Sequence, residues 1–302
     1  MPDAGAGDDR REAVITMSGY WLRLIDQLDP ARDHQRIYRL SIGYEFPWDY
    51  QRALEFALFR TYCVPSISEL LEATGEFRQR PQKRYDDTAL LMAEIAENGY
   101  DSERGKEALR VINRVHARYA ISNDDMLYVL STFVFDPIDW IAAYGRRPLH
   151  PHERAAAFHY FREVGRRMGI RDIPARFEDF RQFKENYERE HFVYSDTNEK
   201  VGTYTVELMC SWFPAPLRPL VRLGVRSLLD ERMATAFGFR PAPKWMGFAA
   251  KKGLQLRAYA TGFLPERRSS ALRGDPHNRT YPGYPNGYDI GELGPERRGC
   301  PA

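Results

Sequence analysis

The sequence predicts an all-α fold, a multi-helix single domain. Three observations carry that prediction. Apolar residues recur at spacings of three and four along most of the chain. No segment sustains the period-two alternation of a strand. Pro, Gly, Ser and Asp signals punctuate the apolar runs where helices start and stop.

At 302 residues, with 43% hydrophobic and 28% charged content, the chain can bury a full core. A net charge of +2 is too small to imply nucleic acid, and no basic aromatic module accompanies it. Cys63, Cys210 and Cys300 are too scattered for a zinc site or a disulfide framework, which fits a reducing cytoplasm. No run of about 18 apolar residues marks a transmembrane helix. The residues after Arg10-Arg11 are amphipathic rather than an export segment. The expected location is therefore cytoplasmic. Residues 1–10 are expected to be disordered, 11–265 to form the helical domain, and 266–302 to form an irregular tail rich in Gly, Pro and Tyr.

Taken in order, Val14, Met17, Trp21, Leu24 and Leu28 predict an amphipathic helix that Asp29-Pro30 ends. Residues 31–46 read as a short helix and loop. Pro47 opens a helix to about Tyr62, with Ala53, Leu54, Ala57 and Leu58 inside. Ser66 with Glu69 predicts a capping box for a helix ending at Gly75. Residues 75–88 read as a polar connector, followed by a helix through Leu90, Leu91 and Ile95 that Gly99 stops. Ser102 caps the next helix. Pro151 opens one carrying Ala156, Tyr160 and Val164. Phe177, Phe180, Phe183 and Tyr187 form an aromatic stripe on another, which reads as core. Helices over about 197–212, 219–237 and 244–262 complete the domain.

The stretch 105–135, GKEALRVINRVHARYAISNDDMLYVLSTFVF, is the most informative. Leu109, Ile112, Val115 and Tyr119 share one helical face, and His116 faces inward with them. Ile121 is expected to end this helix. Ser122 and Asp125 form a cap for the next, which Pro137 is expected to stop or kink. An inward imidazole needs a partner for each nitrogen. It is either a core histidine bonded to a carbonyl or side chain, or a ligand for a metal or haem iron. A short Gly99–Ser102 turn would bring Thr88 and His116 to the same level of the bundle. With them would come Lys83, Arg84, Tyr85, Asp86 and Asp87, which could equally form a salt-bridge network.

Other candidates are weaker. Glu188-x-x-His191 occurs once, where a di-iron bundle needs the motif twice, and reads as a solvated helix end. His150-x-x-Glu153 could hold a metal, but exposure at a helix entry accounts for it. His159 and Glu163 read as a surface pair. No nucleotide-binding loop, nucleophile elbow or zinc-protease motif is present.

The run RPQKRYDDT, the segment H-x-x-Y-x-I-S-N-D-D-M from His116, and REVG-x-x-MGI-x-DIP from Arg162 resemble the MpaB-type oxygenase and rubber oxygenase (latex clearing protein) family over about residues 35–240. The resemblance implies a globin-like helical core and haem b. It also implies O2-dependent attack on carbon–carbon double bonds of an isoprenoid, hydrophobic substrate. By the same resemblance His116 is the proximal iron ligand, and dioxygen binds on the opposite face near Arg84, Asp87 and Thr88. In the rubber enzymes a lysine precedes that threonine. Here Asp87 stands there, so rubber itself is not implied. Arg84, Lys83 and Arg118 are candidates to face haem propionates, with Tyr119 beside the ligand. Two further readings stay open: a non-enzymatic haem or lipid binder of the same fold, and a peripheral membrane protein. The second rests on residues 213–263, which mix Leu, Val, Trp and Phe with Arg and Lys.

Overall fold

A computed structural model of the chain describes residues 19–272, 284 and 287–295. The expected disorder at 1–10, the helix positions Val14 and Met17, and Cys300 lie outside these residues. Among the described residues there are fourteen α-helices and no strand. They are α1 (Tyr20–Asp26), α2 (His34–Leu40), α3 (Pro47–Thr61), α4 (Pro65–Thr74), α5 (Glu76–Gln79), α6 (Pro81–Asn98) and α7 (Glu103–His116). Then follow α8 (Asn123–Tyr144), α9 (Pro151–Arg167), α10 (Phe177–His191), α11 (Asp196–Ser211), α12 (Arg218–Leu228), α13 (Glu231–Ala236) and α14 (Lys244–Thr261).

Helix α8 is the central beam. It packs on α3, α9, α10 and α14, and Tyr128, Val134, Phe135 and Ile141 on it are fully buried. The expected break at Pro137 does not occur, and the helix runs through it to Tyr144. A proline inside a helix costs about 3 kcal/mol. The next turn carries Ile138, Trp140 and Ile141, all buried. Each returns roughly 1.5–3 kcal/mol on burial, so packing outweighs the lost hydrogen bond. By length and composition α8 could also cross a membrane. It is instead a core helix, with 61% of its most apolar window buried. A second apolar cluster, built on Phe59, Val201, Met209 and Phe237, joins α3, α11 and α13. Cys63 and Cys210 are buried free thiols.

Several boundaries move for identifiable reasons. Residues 76–79 and 81 onward are helical rather than a connector, so Lys83 to Thr88 form the first turns of α6. The Ser66 cap does not form. Helix α4 starts at Pro65, and the Ser66 hydroxyl donates to Asp125 Oδ1 at 2.9 Å instead. Helix α7 ends at His116 rather than Ile121. There Arg118 N donates to Val115 O and Tyr119 N to His116 O, tightening the last turn before the chain reverses. The helix expected over 219–237 splits, because Asp230 accepts from Met233 N and starts α13. The tail is not irregular throughout: Ile290–Glu292 is a 3-10 turn packed on α7, with Ile290 and Leu293 buried.

The α6–α7 corner is as expected. Gly99 adopts φ +83°, which L side chains rarely take, and Ser102 accepts from Gly105 N. A Cβ on Gly105 would lie 2.0 Å from the Gly99 carbonyl oxygen. That neighbour is backbone and cannot swing aside. Gly105→Ala should therefore destabilise the fold by roughly 2 kcal/mol or more. Urea melting checks this, and an unchanged midpoint would refute the close approach.

Candidate functional site

A cavity of about 430 Å³ lies between α4, α6, α7 and α8. Its wall is mainly aliphatic and aromatic: Leu58, Ile67, Leu71, Leu91, Ile112, Val129 and Phe133 contribute. His116, Arg84, Asp87, Thr88 and Tyr119 all reach it. These five expected residues converge because the α6–α7 corner sets the two helices antiparallel. Ser122 then caps α8, its side chain accepting from Asp125 N, and directs α8 along the far wall.

His116 Nδ1 is buried and has no hydrogen-bond partner among the described residues. The expected bond that would orient the ring is therefore not made. A buried unpartnered group costs about 1–3 kcal/mol. Burial, with the Arg84 charge second, pushes the imidazole down to about 4. The ring is thus neutral at ordinary pH, with a lone pair for a ligand.

On α6, one Arg84 guanidinium nitrogen donates to Thr88 Oγ1, while the Thr88 hydroxyl donates to the Arg84 carbonyl at 3.1 Å. Arg84 also lies 5.7 Å over the Phe77 ring. Asp87 is only 4% exposed. Its carboxylate accepts from Lys83 Nζ at 2.8 Å and from the Tyr284 hydroxyl at 2.5 Å. Lys83 also donates to Gly294 O at 2.8 Å, and Gly294 and Pro295 line the cavity. The tail thus closes one side of the site, a contribution that no local sequence signal discloses. Lys83 itself does not line the cavity. Arg118 is exposed on the turn after α7 and does not line it either.

A second cavity, of about 400 Å³, shares Leu58, Thr88, Met92 and Phe133 with the first. Trp48, Tyr38, Tyr160 and Trp212 give it aromatic walls. Its polar corner is Glu55, whose carboxylate accepts from Tyr85 and, at 2.6 Å, from Arg52. The Tyr160 hydroxyl is buried with no partner among the described residues.

Residues 56–263 match the family described as ER-bound oxygenase mpaB/B'/Rubber oxygenase, catalytic domain. The chain belongs to this family. An ER-bound oxygenase mpaB of Penicillium roqueforti (strain FM164) is 31% identical over 211 residues, 64% of this chain and 70% of that protein. The ER-bound oxygenase mpaB' of Penicillium brevicompactum is 28% identical over 76% of this chain and 58% of its own length. The chain therefore spans rather more than half to about two-thirds of these relatives. Membership makes it an oxidoreductase of the oxygenase type, a class that implies a small-molecule substrate and O2.

The other sequence candidates resolve into structural contacts. Glu188 is not solvated but 4% exposed. It is held by Arg60 through two bonds of 2.6 and 2.7 Å and by Lys184 at 2.6 Å, while the His191 ring stacks on Tyr187. Glu163 pairs with Arg166 and Arg167 rather than with His159. His150 and Glu153 form a capping box. Asp26, His150 and His152 lie close enough to share a metal. Yet His150 Nδ1 accepts from His152 N, which leaves the proton of the neutral ring on Nε2, the atom facing Asp26.

Burial raises the Glu55 carboxyl from 4.5 to about 7, with Arg52 and Tyr85 opposing. A raised carboxyl stabilises the fold fully below its unfolded pKa, and that contribution is lost as pH rises through the folded value. The loss is at most about 3 kcal/mol. Melting temperatures taken from about pH 5 to about pH 8 should fall through this window, and Glu55→Gln should flatten the fall. Parallel curves for the two proteins would contradict it.

Proposed function

We propose that the chain is a haem-b-dependent oxygenase acting on a hydrophobic, isoprenoid-like substrate. The observation that carries the reading is a neutral, half-buried imidazole, His116, whose buried Nδ1 is unpartnered beside an apolar cavity, in a chain of an oxygenase family. The cavity's volume falls in the roughly 300–1,000 Å³ range of small-molecule and cofactor sites. A globin-like packing of helices around the cofactor belongs to the same reading. His116 would be the iron ligand. Haem, when bound, supplies the O2 chemistry that cleavage or oxidation of a carbon–carbon double bond requires.

The protein's own residues do the rest. Arg84 carries guanidinium N–H groups beyond the one on Thr88. They suit either a propionate or charge building on an oxygen. Thr88 stands on the wall between the two cavities, where cofactor and substrate would meet. Tyr119 borders His116. Asp87, held by Lys83 and Tyr284, fixes the charge balance of the α6 side rather than offering a free base. Arg118 and Lys83 lie outside the lining, so either would meet a propionate only at the rim of the cavity. The second cavity would take the apolar substrate, with Tyr160 and Glu55 available to a polar end group. A second reading, a haem or lipid binder without chemistry, is favoured by one feature: Asp87 replaces the family's lysine and is locked in an ion pair.

Purified protein expressed with haem supplementation should show a Soret band that His116→Ala loses, with the melting temperature retained. Colourless wild-type protein would end the haem reading. Arg84→Ala should lower the rate of O2 consumption with a prenyl substrate roughly a hundredfold. Haem-loaded wild type that consumes no O2 with any isoprenoid would favour the carrier instead.

A further inference from the structure

Of the thirteen large hydrophobic side chains exposed among the described residues, ten lie between Phe213 and Leu264. On α14, Trp245, Phe248, Lys252, Leu256 and Tyr259 follow at steps of three and four, which places them on one helical face, and Phe263 follows just past the end of the helix. The five apolar members are each 66% to 68% exposed. Met246 and Ala258, on the opposite face, are buried. Helix α12 lies against α14, and Leu217, Leu220 and Leu223 on it and its lead-in are also exposed. A contiguous apolar surface of this kind is uncommon on a protein meant to face water alone.

The charge on the same elements has one sign. Residues 214–229 contain Arg218, Arg222 and Arg226 and no acid. Residues 233–265 contain Arg240, Lys244, Lys251, Lys252 and Arg257, again with no acid. Lys244, Lys251 and Lys252 are exposed beside the aromatic stripe. Two copies meeting through this face would set lysine against lysine, whereas a sheet of anionic headgroups over hydrocarbon complements both the charge and the apolar stripe. Trp and Tyr are the side chains that favour that boundary.

The second cavity reaches this side of the molecule. Phe213, which is 39% exposed, lines it, and the Phe213 carbonyl accepts from Arg218 at the start of α12. Arg257 of α14 sits 3.5 Å from the ring of Trp48, another wall residue. We propose that the outer faces of α12 and α14 rest in the surface of an anionic phospholipid bilayer, with the Phe213 mouth of the second cavity turned toward the acyl chains. An apolar substrate then passes from the bilayer into the cavity without crossing water. The docking stands by itself, while the substrate route rests on the oxygenase reading above.

Flotation of the full chain with phosphatidylcholine vesicles, with and without phosphatidylglycerol, tests it. Wild type should float with the anionic vesicles and be released by salt. Phe248→Ser with Phe263→Ser, and separately Lys251→Glu with Lys252→Glu, should each weaken partition by roughly tenfold or more, at unchanged melting temperature. Wild type that stays at the bottom with both vesicle types overturns the proposal. So does equal flotation by wild type and both variants, or a wild-type dimer that the phenylalanine variant dissolves without any vesicle binding. A His116→Ala protein that floats normally while lacking a Soret band separates the docking from the haem reading.

Discussion

The site depends on one close contact, the approach of the Gly105 backbone to the Gly99 carbonyl at the α6–α7 corner. With no side chain between them the two helices turn back tightly and run antiparallel. Thr88, eleven residues before Gly99, and His116, eleven after Gly105, then reach the same cavity. The distances in sequence fix this once the corner is tight, because each helix rises by about 1.5 Å per residue. Everything else in the site is arranged around those two heights.

The electrostatics follow the same geometry. Burial, and after it the positive charge at Arg84, keeps His116 neutral. The carboxylate of Asp87, on the same cavity, is taken up by Lys83 and Tyr284. Arg84 and Asp87 thus put charge on the α6 side, Glu76 and Asp125 add the other acidic groups of the lining, and most of the remaining wall is apolar. The second cavity repeats the pattern, with one polar corner at Glu55 in an aromatic chamber.

What is legible in the sequence is what local rules decide. Gly99, Ser102 and Ser122 announce their corners, and the 3–4 spacing through Leu109 and Ile112 places His116 inward. Where tertiary contacts compete with local ones, the local reading fails. Ser66 leaves its cap for Asp125, and Pro137 stays helical because its flanks are buried. Orientation about a helix end separates Arg84 from Arg118, both basic and both near the site, and no spacing rule reaches past the end of α7. Glu55 sits in a helix whose alanines and aromatics turn inward. Nothing in its neighbours distinguishes a buried acid from a solvated one.

The tail's fastening also fixes an order of events. Gly294 meets Lys83 across 211 positions of chain, and Tyr284 meets Asp87 across 197. As the polypeptide leaves the ribosome, helices α3 to α8 emerge well before these closing residues do. One side of the chamber therefore stays uncovered while the bundle assembles, and its lining is the last part of the site to be closed off from water.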